Sequence, residues 1–418
     1  MLTNKRAGGA LADAPRPAAR PTDLRRHNLA LVLREVVARD SSSRGEIARA
    51  TGLTKGTVTV LVQELQRLGL LVELGSQADG RVGRPRRALG LNGEHHCGIG
   101  LELNVDYTAV CVADLLQRTR FHRVEAVDNR GVSPAEVLDR AARLTATALE
   151  EAEAKGLSVA GTGVAVPGMV RVAEGTLILA PNLGWTDVAV ADELAARLDG
   201  RELPILVDNE ANLAALGELW LGIGSEVGDY VHVSGEIGVG AGVIVDGALF
   251  RGSRGFAGEV GHVVVDPDGE PCSCGGRGCL ERIAGQEAIL RAAGLPLSSG
   301  TSLGYGESAV PALVELLEGG DPQARRAVAD AGRAIGSALA DVVNVLDADT
   351  IVLGGVYATL APWLAEPLER NLAEQVVAST WRPVDVRASR LGPDAAVRGA
   401  AAWIVQRVLA APGVTVAP

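Results

Sequence analysis

Between Leu24 and Ala38 the apolar residues Leu29, Leu31, Val32, Leu33, Val36 and Val37 recur at helical spacing and predict a first helix. Ser43, followed three residues later by Glu46, is a capping box that opens a second helix. Ala50-Thr51-Gly52-Leu53 is a short turn with a glycine at its centre. Thr54 then caps a third helix carrying Val58, Leu61, Val62, Leu65 and Leu68. Residues 69–74 have a strand pattern, and 88–91 return as a second strand after the basic segment Gly83-Arg84-Pro85-Arg86-Arg87. This order is the layout of a winged helix-turn-helix, mainly α, over residues 23–92. Residues 1–22, rich in Ala, Pro, Arg and Gly without an apolar period, are expected to form a disordered tail.

The pattern changes at Cys97. Residues 98–103 and 108–113 predict a hairpin of buried strands, Pro134–Ala154 a helix, and 161–166 a buried strand ending in the turn Pro167-Gly168. Residues 205–209 predict a strand running into a helix over Ala214–Trp220. Residues 230–234 and 243–245 predict a second hairpin around a glycine-rich turn, and 351–353 a strand before Gly354-Gly355. Each half thus opens with a glycine-punctuated hairpin, which suggests two related lobes around a cleft. The expected division is 93–213 for the first lobe, with a C-terminal helix over 390–410 returning to it, and 214–389 for the second.

Composition changes this picture through charge. The net charge is −11, but residues 1–92 hold 16 Lys and Arg against 8 Asp and Glu, whereas residues 93–418 hold 24 against 43. A basic head on an acidic body suggests a nucleic-acid-binding module joined to something else. DNA contacts are therefore assigned to Ser43, Thr54, Lys55, Thr57, Thr59 and Gln63 around the second and third helices. The wing residues Arg84, Pro85 and Arg86 are assigned to phosphates or a narrow minor groove. A small protein–protein module with a solvated basic loop is the bland alternative. One such head covers few base pairs, so a homodimer, or a tetramer, on an inverted-repeat operator in double-stranded DNA is expected. No apolar run reaches the ~18–20 residues of a membrane span, and Asp13, Arg16 and Arg20 break any leader pattern, so a cytoplasmic protein is expected.

The chemistry concentrates between Gly258 and Glu281. His262, Cys272, Cys274 and Cys279 follow the pattern H-x9-C-x-C-x4-C. Three thiolates and an imidazole make the closed tetrahedral shell of a structural zinc, one per chain, on a loop spanning 262–281. A disulfide is the weaker reading, because three local cysteines leave one unpaired. Glu259 and Glu281 flank this loop and are expected at the edge of a pocket. Cys97 and Cys111 stand in apolar surroundings and are expected to be inert core residues.

On Gly-Val-Ala-Val-Pro-Gly, Asp-Asn-Glu-Ala-Asn, Gly-Glu-Val-Gly-His, Cys-x-Cys-Gly-x-x-Gly-Cys-x-Glu and a late Gly-Gly, the chain resembles the ROK family (repressor, open reading frame, kinase) over nearly all of residues 24–405. That family pairs sugar kinases with sugar-responsive repressors. The resemblance implies a two-lobed α/β actin-like ATPase fold, of the ribonuclease H-like kind, behind the winged head. It also implies that Asn182, Asn209, Glu210, Glu259, His262 and Glu281 surround a sugar or sugar-phosphate effector, and that His262 and the three cysteines hold zinc.

The sequence departs from the family's kinases where phosphate is handled. Kinases open with Asp-x-Gly-Gly-Thr, and the matching stretch here is Glu102-Leu103-Asn104-Val105-Asp106. The usual Gly-Thr-Gly is Glu236-Ile237-Gly238, and Glu210 stands where the kinases have a catalytic Asp. Lost glycines and added carboxylates weaken a phosphate cradle. The expected function is a DNA-binding repressor of carbohydrate-metabolism genes whose kinase-like body senses a sugar without catalysis. A sugar kinase with a regulatory DNA-binding head, and a protein-interaction scaffold, remain the alternatives.

Overall fold

The computed structural model describes residues 21–77, 86–198, 200–296 and 309–413. The wing calls on Arg84 and Pro85, and the expected tail before residue 21, lie outside them. The head comprises α1 (Pro21–Ala38), α2 (Arg44–Thr51), α3 (Lys55–Arg67), β1 (Leu71–Gln77) and β2 (Arg86–Leu91). The first helix starts two residues inside the segment expected to be a tail, with proline in the first position, where a missing N–H leaves no bond unmade. Both halves of the capping box at Ser43 form, and Gly52 ends α2 in the left-handed region at φ 73° with open space around it. Backbone conformation, rather than packing, therefore asks for glycine at that turn. Leu29, Val32, Leu33 and Val36 pack on Ile47 and on Val58, Leu61, Val62 and Leu65. Leu115, Val405 and Leu409 of the body complete this same core, and His96 Nε2 lies 2.8 Å from the Leu68 carbonyl, so the head is seated on the body.

The body begins with β3 (His96–Leu103), β4 (Tyr107–Asp114), β5 (Thr119–Ala126), α4 (Pro134–Ala154) and β6 (Ser158–Val166). A small sheet follows, of β7 (Met169–Arg171), β8 (Thr176–Ala180) and β9 (Trp185–Val188), then α5 (Val190–Arg197), β10 (Ile205–Asn209) and α6 (Glu210–Leu221). The helix starts at Glu210, not at Ala214 as the pattern suggested, because the Asn209 side chain caps it from the strand end. The main sheet runs β10-β6-β3-β4-β5, with parallel pairs up to β3 and antiparallel pairs beyond it.

The second half holds β11 (Tyr230–Gly235), β12 (Val239–Val245) and β13 (Ala248–Leu249), then α7 (Glu281–Ala284), α8 (Gln286–Ala292), α9 (Ala309–Glu318) and α10 (Pro322–Leu346). It closes with β14 (Thr350–Gly355), α11 (Val356–Gln375), β15 (Asp385–Ala388) and α12 (Ala395–Ala410). Its sheet runs β13-β12-β11-β14-β15, antiparallel on one side of β11 and parallel on the other. That is the order of the first sheet repeated, so the body has two lobes of one topology. The last helix crosses back to the first sheet. A side chain on Gly100 would meet the Val397 carbonyl at 2.0 Å, and one on Gly163 the Ala400 carbonyl at 2.4 Å, so bare backbone lets α12 lie directly on the strands. Gly217 and Gly399 permit the same close approach between α6 and α12. The C-terminal end of α12 is the part that enters the core of the head.

Candidate functional site

The strand ends Glu102–Leu103, Val166, Asp208–Asn209 and Gly235 converge on a cleft between the lobes, the usual place for a ligand on an open α/β sheet. It contains a cavity of about 270 Å³ lined by Asn182, Asp208, Asn209, Glu210, Asn212, Glu236, Glu259, His262, Cys274 and Glu281, among others. All six residues assigned to the effector are therefore brought to one space.

They are not equally free to bind. Asn209 Oδ1 accepts from the amides of Ala211 and Asn212, at 2.9 and 3.2 Å, and its Nδ2 donates to the Gly168 carbonyl at 2.9 Å. Its role is to start α6 and set the angle of Glu210. Gly238 brings Asn182 and Glu281 together from opposite lobes: a Cβ there would lie 2.5 Å from Glu281 Oε2 and 2.9 Å from Asn182 Nδ2. Gly258, at φ 109°, presses the loop against the Ala241 carbonyl, so Glu259 and His262 ride on β12. The Glu259 side chain is open to the cleft, whose walls crowd out water and raise its carboxyl. His262 opposes that shift and Glu281 adds to it.

Behind the cavity lies a cluster that sequence reasoning saw only as a loss. Glu102, Glu210 and Glu236 place carboxylate oxygens within 4.8 Å of one another. Asn104 Nδ2 is bonded to all three, at 3.4 Å to Glu102, 3.2 Å to Glu210 and more closely to Glu236. The Tyr107 hydroxyl donates to Glu102 at 2.5 Å and reaches Glu236 at 3.4 Å. Asn104 is itself held, its carbonyl accepting from Asn129 Nδ2 at 2.6 Å. Burial pushes Glu102 up to about 7, and burial followed by repulsion from Glu102 pushes Glu210 up to about 8. Burial, with Glu210 and Glu102, holds Glu236 well above the usual carboxylate range. This network links the first lobe, through Asn104 and Tyr107, to the second, through Glu236. Asn104 was not foreseen, because its partners are as much as 132 residues away. Asn212 was foreseeable. It stands four residues after Asp208, and its Nδ2 donates to Asp208 Oδ1 at 3.1 Å while its buried Oδ1 has no partner. Arg251 pairs with the other oxygen of Asp208 at 2.6 Å.

The ligand atoms of His262, Cys272, Cys274 and Cys279 also lie within 4.8 Å of one another. The Cys274 and Cys279 sulfurs are 3.7 Å apart, and Cys272 Sγ is 3.8 Å from His262 Nδ1. Tetrahedral Zn–S bonds of ~2.3 Å would separate two sulfurs by ~3.8 Å, so the residues fit such an ion. The loop is shaped by the bonds Val265 N to Gly278 O, Cys272 N to Gly276 O and Leu280 N to Val263 O, each 2.9 Å. By contrast Cys97 and Cys111 are buried in the first sheet, which pushes their thiols up to about 12 and about 11.

In the head, Thr54, Lys55, Thr59 and Gln63 are exposed along α3, with Thr57 half-buried. Thr54 Oγ1 accepts the Thr57 amide at 3.2 Å and lies 2.9 Å from the Thr57 hydroxyl, while the Thr59 hydroxyl donates to the Lys55 carbonyl at 2.8 Å. Ser43 is half-buried and tied to Glu46 through its capping bonds, at 2.7 and 2.9 Å. It positions α2 more than it offers a free hydroxyl. Arg86 opens β2.

Residues 98–407 match the model of the ROK family, and residues 30–82 match that of the MarR family. The chain belongs to the ROK family. It is 29% identical over 397 residues to the xylose repressor of Caldicellulosiruptor bescii, covering 94% of this chain and 98% of that one. A crystal structure of a ROK family transcriptional regulator, a homologue of the E. coli MLC protein, superposes with a TM-score of 0.76 at 24% identity, over 93% of this chain and 97% of that one, and shares the fold. A ROK family glucokinase from Streptomyces griseus, in complex with glucose and AMPPNP, superposes with a TM-score of 0.63 at 28% identity. It covers 74% of this chain and 99% of the kinase, so the match leaves out about a quarter of this ROK protein. No helix among the described residues is long and apolar enough to cross a membrane.

Proposed function

We propose that this ROK protein is a DNA-binding repressor of carbohydrate-metabolism genes whose body binds a sugar or sugar phosphate and carries out no phosphoryl transfer. The observation that carries this reading is a polar sugar-type cavity joined to a winged head, with the phosphate end of the cleft filled by Glu102, Glu210, Glu236 and the Asn104 amide that ties them. The near full-length likeness to a xylose repressor supports it. In this reading Asn182, Glu210, Glu259, His262 and Glu281 face the sugar's hydroxyls, and Asn209 supports them. One zinc per chain, held by His262, Cys272, Cys274 and Cys279, supplies a fixed strut that sets the His262 ring and the 259–262 loop. The head spans 23–92, the first lobe 93–213 with the returning C-terminal helix, and the second lobe 214–389.

On DNA, Thr54, Lys55, Thr57, Thr59 and Gln63 read bases, with Ser43 beside them, and Arg84, Pro85 and Arg86 contact phosphates or the minor groove. Two heads of a cytoplasmic homodimer bind an inverted repeat. Random-site selection tests this: an inverted repeat is expected, and a motif without symmetry contradicts the paired-head reading. The kinase alternative has one observation in its favour, that Glu210 lines the cavity and, once ionised above about 8, could accept a hydroxyl proton. Turnover of ATP with any hexose in a panel would establish it.

A further inference from the structure

Among the described residues lining the cavity there are five carboxylates, Asp208, Glu210, Glu236, Glu259 and Glu281, and no Lys or Arg. Proteins capture phosphate with cations, with free amides at helix N-termini, or with glycine-rich loops. The nearest examples of each are engaged from within here. Arg251, which approaches from outside the lining, is paired through Nη2 with Asp208, while its buried Nη1 has no partner. The amides of Ala211 and Asn212 at the start of α6 donate to Asn209, and the Val239 amide after the glycine turn donates to Glu281 at 3.3 Å. The groups left over are mainly acceptors, including the unpartnered Asn212 Oδ1. Acceptors want donors: hydroxyls satisfy them and an ammonium does so more strongly, whereas a phosphate brings only further acceptors and like charge.

We infer that the cleft is an anion-excluding site, so that the effector is a sugar bearing no phosphate, and that Glu236 is a principal determinant of this choice, because its side chain fills the inner end and takes up the Asn104 amide. The inference rests on the sugar-sensor reading and resolves what that reading leaves open, namely a sugar or its phosphate ester. It also predicts that a cationic amino sugar is accepted where an ester is refused.

The test is calorimetry on the full-length protein at pH 7 and 0.15 M salt. The ligands are neutral pentoses and hexoses, each beside its own phosphate ester, with glucosamine beside glucose. A neutral sugar is expected to bind, and its ester at least about 100-fold more weakly. An ester that binds as tightly as its parent, or alone, overturns the inference while leaving the sugar-sensor reading standing. Failure of every sugar, charged or not, contradicts that reading itself. In Glu236→Ala, which empties the inner end and frees the Asn104 amide from this carboxyl, the ratio between parent and ester should shrink by about tenfold, and an unchanged ratio would rule out this residue as the cause.

Discussion

Among the described residues two clusters bring together side chains able to hold a metal, and they have opposite fates. At His262, Cys272, Cys274 and Cys279 the ligand atoms face one another, and among the described residues the Gly276 amide, 3.4 Å from Cys274 Sγ, is a backbone donor to one sulfur and not a common donor to the group. At Glu102, Glu210 and Glu236 the same closeness is answered from within, by the Asn104 amide and the Tyr107 hydroxyl. Closeness alone does not make a metal site. The number of protein donors already inside it decides whether an ion has work to do. In the proposed reading the first cluster is completed by an ion that holds its loop. The second is already served by an amide and a hydroxyl of the protein.

The largest effect should come from emptying the first cluster. Cys274→Ser removes one of four ligands, and the variant should lose its metal by elemental analysis, melt on the order of 10 °C lower, and bind effector poorly because His262 is no longer fixed. Wild-type protein that carries no stoichiometric zinc would contradict the comparison at once. The second cluster should break more gently. Asn104→Leu leaves the carboxylates without their common donor and should cost about 2–3 kcal/mol in denaturant unfolding, with no change in metal content.

Legibility in the sequence followed distance along the chain. Caps at Ser43 and Thr54, the Gly52 turn and the spacing of His262 with its cysteines are local patterns, and each is visible as a string of residues. The Glu102–Asn104–Glu236 network was seen only as missing glycines, because its donor and acceptors meet through folding of two lobes. Asn209 read as a sugar ligand, and it does line the cavity, but its capping of α6 through Oδ1 was not legible because the helix starts at Glu210 rather than Ala214. The seating of Val405 and Leu409 in the head was equally hidden, because it needs α12 to cross back over the first sheet before reaching α1.

The smallest effect is one of pH, and it sharpens the contrast by locating the shared protons. Glu210 is held above its ordinary value of 4.5, up to about 8, mainly by burial. The folded protein therefore keeps a proton that the unfolded chain releases. The stability tied to it is complete below about 4.5 and is lost as pH rises through about 8. One such proton gives a slope of at most about 1.4 kcal/mol per pH unit. Glu210→Gln should flatten the decline of melting temperature between these limits, and an unchanged slope would mean that the carboxyl is already ionised.

The central claim is that sugar binding in the body alters DNA binding by the head without nucleotide. Helix α6 begins at Glu210 in the cleft and lies against α12, whose far end completes the core of the head, so a route for such coupling exists. The direct measurement is fluorescence anisotropy of a labelled operator selected as an inverted repeat, titrated with the full-length protein with and without a saturating neutral sugar, in buffer lacking ATP. The account predicts a change in DNA affinity of at least about 5-fold, equal when ATP is added and absent in Glu259→Ala. An affinity that ignores the sugar, or one that responds only when ATP is present, would contradict it.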